Sequence, residues 1–231
     1  MYILKRGEAM ILIEDLFGNN ENIIKSGFRI VQAVWKRVSV DISEAEEAKF
    51  VHDFIKGYDN RPSVRTSNPT GTIADQIIDT LIKSRILSFS DKDIERIKFD
   101  HRLSMAAENI IGLILEEYIH VNVLELGWSC CWGNCIKAVD FCSSDGKLLQ
   151  VKNKSNTENS SSSKIRQGTQ IIKWFRLYAN NGKTNWDALN AIIGKPALLS
   201  EDGFKRFAEE LIKKNPNVLY LDEDTFLKVY N

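Results

Sequence analysis

The sequence predicts an α/β fold, with a central mixed β-sheet flanked by helices and an N-terminal helical region before it. Apolar residues recur three and four positions apart in residues 20–57 and 73–98, the spacing of amphipathic helices. After Gly127 the pattern changes to short apolar runs on either side of a Ser-Ser-Asp-Gly turn, which is typical of a β-hairpin. Helical spacing returns after this hairpin, so helices flank the strands along the chain.

The composition is that of an ordinary folded protein. Of 231 residues, 43% are hydrophobic and 27% are charged, which excludes disordered and collagen-like chains. No apolar run is long enough to span a bilayer, and acidic residues follow the short apolar run at the N-terminus with no cleavage site for a signal peptidase. We therefore expect a cytoplasmic protein without a membrane partner.

Four cysteines lie close together between Cys130 and Cys142. Two of them are adjacent, which suits no extracellular disulfide framework, so we expect reduced thiols. The group contains no Cys-x₂-Cys pair and has no histidine pair nearby, which argues against a zinc site.

The chain divides by pattern into a mainly helical region, residues 1–100, and a second region, residues 101–231, that carries the chemistry. In the first, Ser43 and Glu46 form a predicted capping box, and residues 59–72 are predicted to form a loop that contacts DNA. Further helices are predicted at residues 73–87 and 91–98, with Asp91 as the N-cap of the second.

The second region is predicted to begin with a long helix from Ser104. A hairpin of Ile136–Phe141 and Leu148–Lys152 follows. After it, the sequence predicts helices at Gly168–Ala179, Asn185–Ile193 and Glu201–Lys214 and a final strand at Val218–Leu221.

Three residues of the hairpin could form a catalytic centre. The two-residue period of a strand places Gln150 and Lys152 on one face of the sheet, with Asp140 on the neighbouring strand. Carboxylate and carbonyl oxygens bind Mg²⁺, and a nearby lysine can orient a water molecule and offset charge at phosphorus. When this spacing occurs alone, the acid and the lysine are more often surface residues without a catalytic role. The catalytic interpretation therefore depends on the surrounding sequence.

The stretches AVDF and LLQVK, with the turn between them, resemble the signature of the PD-(D/E)xK nucleases. The run from Leu149 to Trp186 resembles the region after the catalytic strand in type II restriction endonucleases, notably SinI-like ones. The likeness as a whole covers residues 104–186. It implies Asp140 and Gln150 as Mg²⁺ ligands and Lys152 as the catalytic cation. Gln150 stands where the family usually has an acid, which lowers the charge of the metal site. The acid on the preceding helix falls on Glu108, with Glu116 as the alternative.

Positive charge is concentrated after the hairpin. Residues 147–183 contain eight basic residues and one acid, although the net charge of the chain is zero. A solvated basic face is the simpler interpretation, and we prefer contact with double-stranded DNA because basic residues flank a polar loop. The candidate DNA-binding residues are Lys154, Asn156, Asn159, Ser160, Ser161, Ser162, Ser163, Lys164, Arg166, Thr169, Lys173, Arg176, Lys183 and Asn185.

Together these features predict a Mg²⁺-dependent type II restriction endonuclease that cuts a short, palindromic DNA site. A palindromic site implies a homodimer, because a two-fold pair reads two identical half-sites. The resemblance also implies a cognate DNA methyltransferase that protects the host. Two alternatives stay open: a DNA-binding protein that has lost catalysis through Gln150, and a repair nuclease selective for DNA structure.

Overall fold

A computed structural model describes residues 3–6, 9–12, 17–69, 75–155 and 171–230. These residues belong to two compact units, the first drawn from Met1–Arg61 and Ile114–Ala208 and the second from Pro62–Leu113 and Glu209–Asn231. Within the described ranges no helix has the length and apolarity needed to cross a membrane.

The chain alternates between helices and short strands. The strands are β1 Ile3–Arg6, β2 Ala9–Leu12, β3 Trp128–Cys130, β4 Phe141–Ser143, β5 Leu148–Lys154 and β6 Ile171–Leu177. The helices are α1 Asn20–Ser26, α2 Phe28–Val38, α3 Glu44–Asp59, α4 Gln76–Arg85, α5 Asp91–Val123, α6 Trp186–Ile193, α7 Glu201–Lys214 and α8 Glu223–Tyr230. Short 3₁₀ turns lie at Leu124–Leu126, Trp132–Asn134 and Pro216–Val218.

The first unit contains a four-stranded mixed sheet in the order β3-β4-β5-β6. The pairs β3–β4 and β4–β5 are antiparallel, whereas β5 and β6 are parallel. This confirms the predicted α/β fold and the predicted hairpin. The first hairpin strand begins at Phe141 and not at Ile136, because the chain turns at Ala138, which has a φ of +61°. The strands β1 and β2 pair separately with each other.

The predicted helix at Gly168–Ala179 is wrong, because Ile171–Leu177 form strand β6. Its sequence, IIKWFRL, is rich in β-branched and aromatic residues, which favour strands. In a helix, Lys173 and Arg176 would share one face, because they are three residues apart. In the strand they point to opposite faces: Lys173 is exposed, whereas Trp174 and Arg176 are buried.

Register assigns the side chains of β5 and β6 to two faces. Gln150 pairs with Lys173 and Lys152 pairs with Phe175, so these four share one face, called here the catalytic face. The other face packs on helices. There Arg176 Nε donates to Asn153 Oδ1 at 2.9 Å, and the Trp174 and Trp186 rings lie 5.3 Å apart.

Helices α1 to α3 belong to the same unit as the sheet. The predicted capping box is confirmed: Ser43 N donates to Glu46 Oε2 at 2.9 Å, and Glu46 N donates to Ser43 Oγ at 3.3 Å. Between α2 and α3, the Trp35 and Phe50 rings stack at 4.4 Å. Gly57 meets the 3₁₀ turn so closely that a Cβ there would lie 2.0 Å from Gly133 N.

The second unit corrects three predictions. Residues 91–123 form one uninterrupted helix, α5, because no glycine or proline separates the two predicted helices. The N-cap is Ser90 and not Asp91, since Asp93 N donates to Ser90 Oγ at 3.3 Å. The predicted final strand at Val218–Leu221 is wrong, because Pro216 begins a 3₁₀ turn and α8 follows.

Candidate active site

Asp140 lies immediately before β4, and its backbone is held by both neighbouring strands. Its N–H donates to the Leu149 carbonyl at 3.0 Å, and its carbonyl accepts from the Cys131 N–H at 2.8 Å. Its side chain is fixed as well, because Oδ2 accepts a 2.7 Å hydrogen bond from the Val151 N–H. The carboxylate therefore lies against β5, at the residue between Gln150 and Lys152.

Gln150 and Lys152 project from the catalytic face of β5. Gln150 is buried. Lys152 is half-buried. The Lys152 ammonium acts electrostatically on the Asp140 carboxylate, so it lies near that group. Strand β5 and the residue before β4 thus bring the predicted trio together.

Helix α5 brings a second carboxylate to this site. Burial and, to a lesser extent, the negative charge of Asp140 raise the pKa of Glu116 to about 8, while the positive charge of Lys152 opposes the increase. The pKa of Asp140 is also raised by burial, although the Val151 hydrogen bond and Lys152 act in the opposite direction. Two acids with raised pKa values beside one lysine are typical of a functional site.

Glu108, the first choice for the helical acid, lies elsewhere on α5. It is exposed, and it belongs to the part of α5 in the second unit. Glu116 follows eight residues later, a little over two helical turns, so the two acids point about 80° apart around the helix. The sequence pattern alone could not decide which turn would meet the hairpin. Because the charges of Asp140 and Lys152 act on the pKa of Glu116, the structure favours Glu116 over Glu108.

His120, one turn after Glu116, has a structural role that the sequence did not predict. It is buried; Nδ1 accepts from the Cys130 N–H at 3.2 Å and Nε2 lies 2.8 Å from the Lys25 carbonyl. These partners require a neutral ring with its proton on Nε2. Burial lowers the pKa of His120 to about 4, which keeps the ring neutral. His120 thus joins α5 to β3, whose next residue contacts Asp140.

The residues suggested for DNA binding are only partly described. Lys154, Lys173 and Lys183 are exposed. Nine of them lie in residues 156–170, outside the described ranges: Asn156, Asn159, Ser160, Ser161, Ser162, Ser163, Lys164, Arg166 and Thr169.

Arg176 and Asn185 are engaged inside the protein. Arg176 is buried and pairs with Glu201 at 2.6 Å, so it supports the sheet, and we leave it out of the proposed interface. The Asn185 amide donates to the Phe175 carbonyl at 3.3 Å.

The possible metal ligands are oxygen atoms. Within the described ranges, no three His, Cys, Asp or Glu side chains are arranged to hold a metal ion. The site instead offers the carboxylates of Glu116 and Asp140 and the amide oxygen of Gln150. The four cysteines are free thiols, and burial raises the pKa of both Cys130 and Cys131, which keeps these two protonated.

Comparison with known proteins places this site in a family. The model of the SinI restriction endonuclease family matches residues 30–214, which include all four site residues. The type II restriction enzyme Eco47I of Escherichia coli is 43% identical over 155 residues, covering 65% of this chain and 66% of that protein. The type II restriction enzyme SinI of Salmonella infantis is 37% identical over 184 residues, covering 78% of each chain. This chain therefore belongs to the SinI family of restriction endonucleases.

Proposed function

We propose that this protein is a Mg²⁺-dependent type II restriction endonuclease whose centre is formed by Glu116, Asp140, Gln150 and Lys152. The observation that carries the proposal is the convergence of two carboxylates with raised pKa values, one from helix α5 and one from the hairpin, with a lysine of the hairpin. Family membership supplies the reaction class, because both named relatives are type II restriction enzymes.

The residues fit a magnesium ion. Mg²⁺ prefers oxygen ligands and is commonly held by one or two carboxylates while it keeps several water molecules. Glu116 and Asp140 would provide the carboxylates, and Gln150 an uncharged carbonyl oxygen. The raised pKa of Glu116 fits as well, because a cation beside it would favour its ionised form. When bound, Mg²⁺ would supply positive charge to the phosphate.

Lys152 is the cation that the chain itself provides. During hydrolysis a water oxygen forms a bond to phosphorus and one P–O ester bond breaks, leaving a phosphate monoester and a hydroxyl group. The Lys152 ammonium can donate hydrogen bonds to the attacking water or to a phosphate oxygen, where negative charge develops. Its place on the catalytic face, next to Gln150, directs it towards the same phosphate.

The substrate in this proposal is a short palindromic site in double-stranded DNA. The exposed lysines 154, 173 and 183 would contact the phosphate backbone. A palindromic site requires a two-fold homodimer, so that each active site cuts one strand. A cognate methyltransferase modifying the same sequence would protect the host DNA in the cytoplasm.

The direct test is digestion of plasmid and longer phage DNA by the purified chain in Mg²⁺, followed by sequencing of the fragment ends. We expect discrete fragments whose ends share one short sequence, and no cleavage in EDTA. A continuous smear would contradict site specificity and favour a repair-type nuclease. Binding without cleavage, in either Mg²⁺ or Mn²⁺, would favour a DNA-binding protein without catalytic activity.

A further inference from the structure

Two aromatic side chains lie beside the candidate active site without being part of the core. Phe175 is half-buried, and Tyr178 is 40% exposed. Their rings meet edge to face at a centroid distance of 4.9 Å. By contrast Trp174, the residue before Phe175, is fully enclosed on the opposite face of the sheet. The exposure of the pair is therefore not explained by a need to fill the core.

The register places this pair next to the proposed catalytic lysine. Lys152 is the direct partner of Phe175 in the parallel β5–β6 ladder, so their side chains share the catalytic face on strands about 4.8 Å apart. On the opposite face of the sheet, side chains of β5 and β6 also lie side by side, since Arg176 donates a hydrogen bond to Asn153. A phosphate that reaches Lys152 thus brings its neighbouring sugar and base close to Phe175.

Hydrogen bonds hold the aromatic pair in place before any ligand arrives. The Asn185 amide donates to the Phe175 carbonyl at 3.3 Å, and its side-chain oxygen accepts from the Tyr178 hydroxyl at 3.5 Å. The Tyr178 N–H also donates to the Lys183 carbonyl at 2.9 Å, which closes the turn after β6. A rigid aromatic surface loses little entropy on binding and is suited to recognition.

We propose that Phe175 and Tyr178 form a non-ionic contact with duplex DNA, packing against the sugar and base next to the cleaved phosphate. The inference rests on the proposed nuclease function, because it requires DNA at Lys152. Lys173 and Lys183, both exposed, would hold the phosphates on either side of the aromatic pair. The aromatic rings would then add affinity that does not come from charge.

Salt dependence separates an aromatic contact from an ionic one. Binding of a duplex that contains the cut site is measured over a salt series, with Ca²⁺ in place of Mg²⁺ as a hard cation for the same oxygen ligands. Phe175→Ala and Tyr178→Ala should each weaken binding by roughly tenfold and leave the slope of log affinity against log salt unchanged. Lys173→Ala should instead reduce that slope by about one.

Two variants control for folding and for the hydroxyl group. Tyr178→Phe keeps the ring and should bind like the wild type, while Phe175→Leu keeps apolar volume and should fold normally but bind weakly. Phe226→Ala removes an equally exposed aromatic ring from α8, in the second unit, and should leave binding unchanged.

The aromatic contact would be disproved if Phe175→Ala and Tyr178→Ala both bound within twofold of the wild type. It would also be disproved if the weaker binding came with a smaller slope of log affinity against log salt. The same holds if each variant lost thermal stability in step with its loss of affinity. Failure of the proposed function itself would look different, since the wild-type chain would then cut no DNA.

Discussion

The Val151 N–H donates a 2.7 Å hydrogen bond to Oδ2 of Asp140. This bond ties the carboxylate to the backbone of β5 at the residue between Gln150 and Lys152. Because the Asp140 backbone also bonds to Leu149 and Cys131, the position of the acid follows from the strands and not from a flexible rotamer. A substitution can therefore remove the charge of Asp140 while it keeps the hydrogen bond that holds the side chain in place.

Asp140→Asn should abolish DNA cleavage and leave the fold intact. The asparagine side chain keeps an oxygen that can accept from Val151, but it removes the charge that would attract Mg²⁺. We expect single-turnover cleavage to fall by several orders of magnitude while the melting temperature stays close to the wild type. Asp145→Asn, in the exposed hairpin turn, is the matched control. Wild-type cleavage by Asp140→Asn would remove this residue from the centre.

Lys152→Ala should also abolish cleavage, because no ammonium would then oppose the charge that develops at phosphorus. Lys147→Ala provides a control on the same hairpin, since Lys147 is exposed and pairs with Asp145 at 3.0 Å. Rates for both variants are measured at saturating DNA, so that weaker binding does not imitate slower chemistry. Equal rates for the two variants would contradict the role of Lys152.

Gln150→Ala tests whether the amide is a metal ligand. The loss of one oxygen should lower the rate by orders of magnitude, and higher Mg²⁺ should restore part of it by mass action. Gln150→Glu should retain activity with an altered preference between Mg²⁺ and Mn²⁺. A rate for Gln150→Ala equal to that of the wild type across a Mg²⁺ titration would exclude the ligand role.

The raised pKa of Glu116 predicts how stability depends on pH without divalent ions. Between pH 4.5 and about 8 the folded chain holds a proton that the unfolded chain has lost, so stability falls as the pH rises through this window. Urea unfolding at several pH values should show a loss on the order of a few kcal/mol in the wild type and not in Glu116→Gln. Parallel curves for the two proteins would show that the pKa of Glu116 is not raised in the folded chain.

The lowered pKa of His120 predicts that stability falls as the pH falls, which is opposite to the dependence expected from Glu116. Its folded-state pKa of about 4 lies below the ordinary value of 6.5, so its contribution is present above pH 6.5 and is lost as the pH falls towards 4. The loss should reach up to about 3 kcal/mol. His120→Gln should be less stable than the wild type at pH 7 and should change less between pH 7 and pH 4. An acid-induced loss as large in the variant as in the wild type would count against the assignment.

The sequence predicted the parts of the fold that depend on local patterns. The Asp-Gly turn marked the hairpin, and the capping box marked the start of α3. It failed where distant contacts decide the outcome. Strand β6 forms because β5 offers a parallel partner, and Lys173 and Arg176 could not show this by their spacing alone. In the same way Glu108 and Glu116 are both acids of α5, and only the packing of this helix near the hairpin distinguishes them.

Alternate residues of strand β6 have two different roles, so the number of residues in the strand is important. The side chains of Trp174 and Arg176 support the helices, while Lys173 and Phe175 lie on the face that carries Lys152. Inserting one residue at the start of β6 would exchange these faces and bury a lysine where a tryptophan packs. Such an insertion would remove stability and the proposed DNA contact together, whereas an insertion of two residues would restore the alternation of sides.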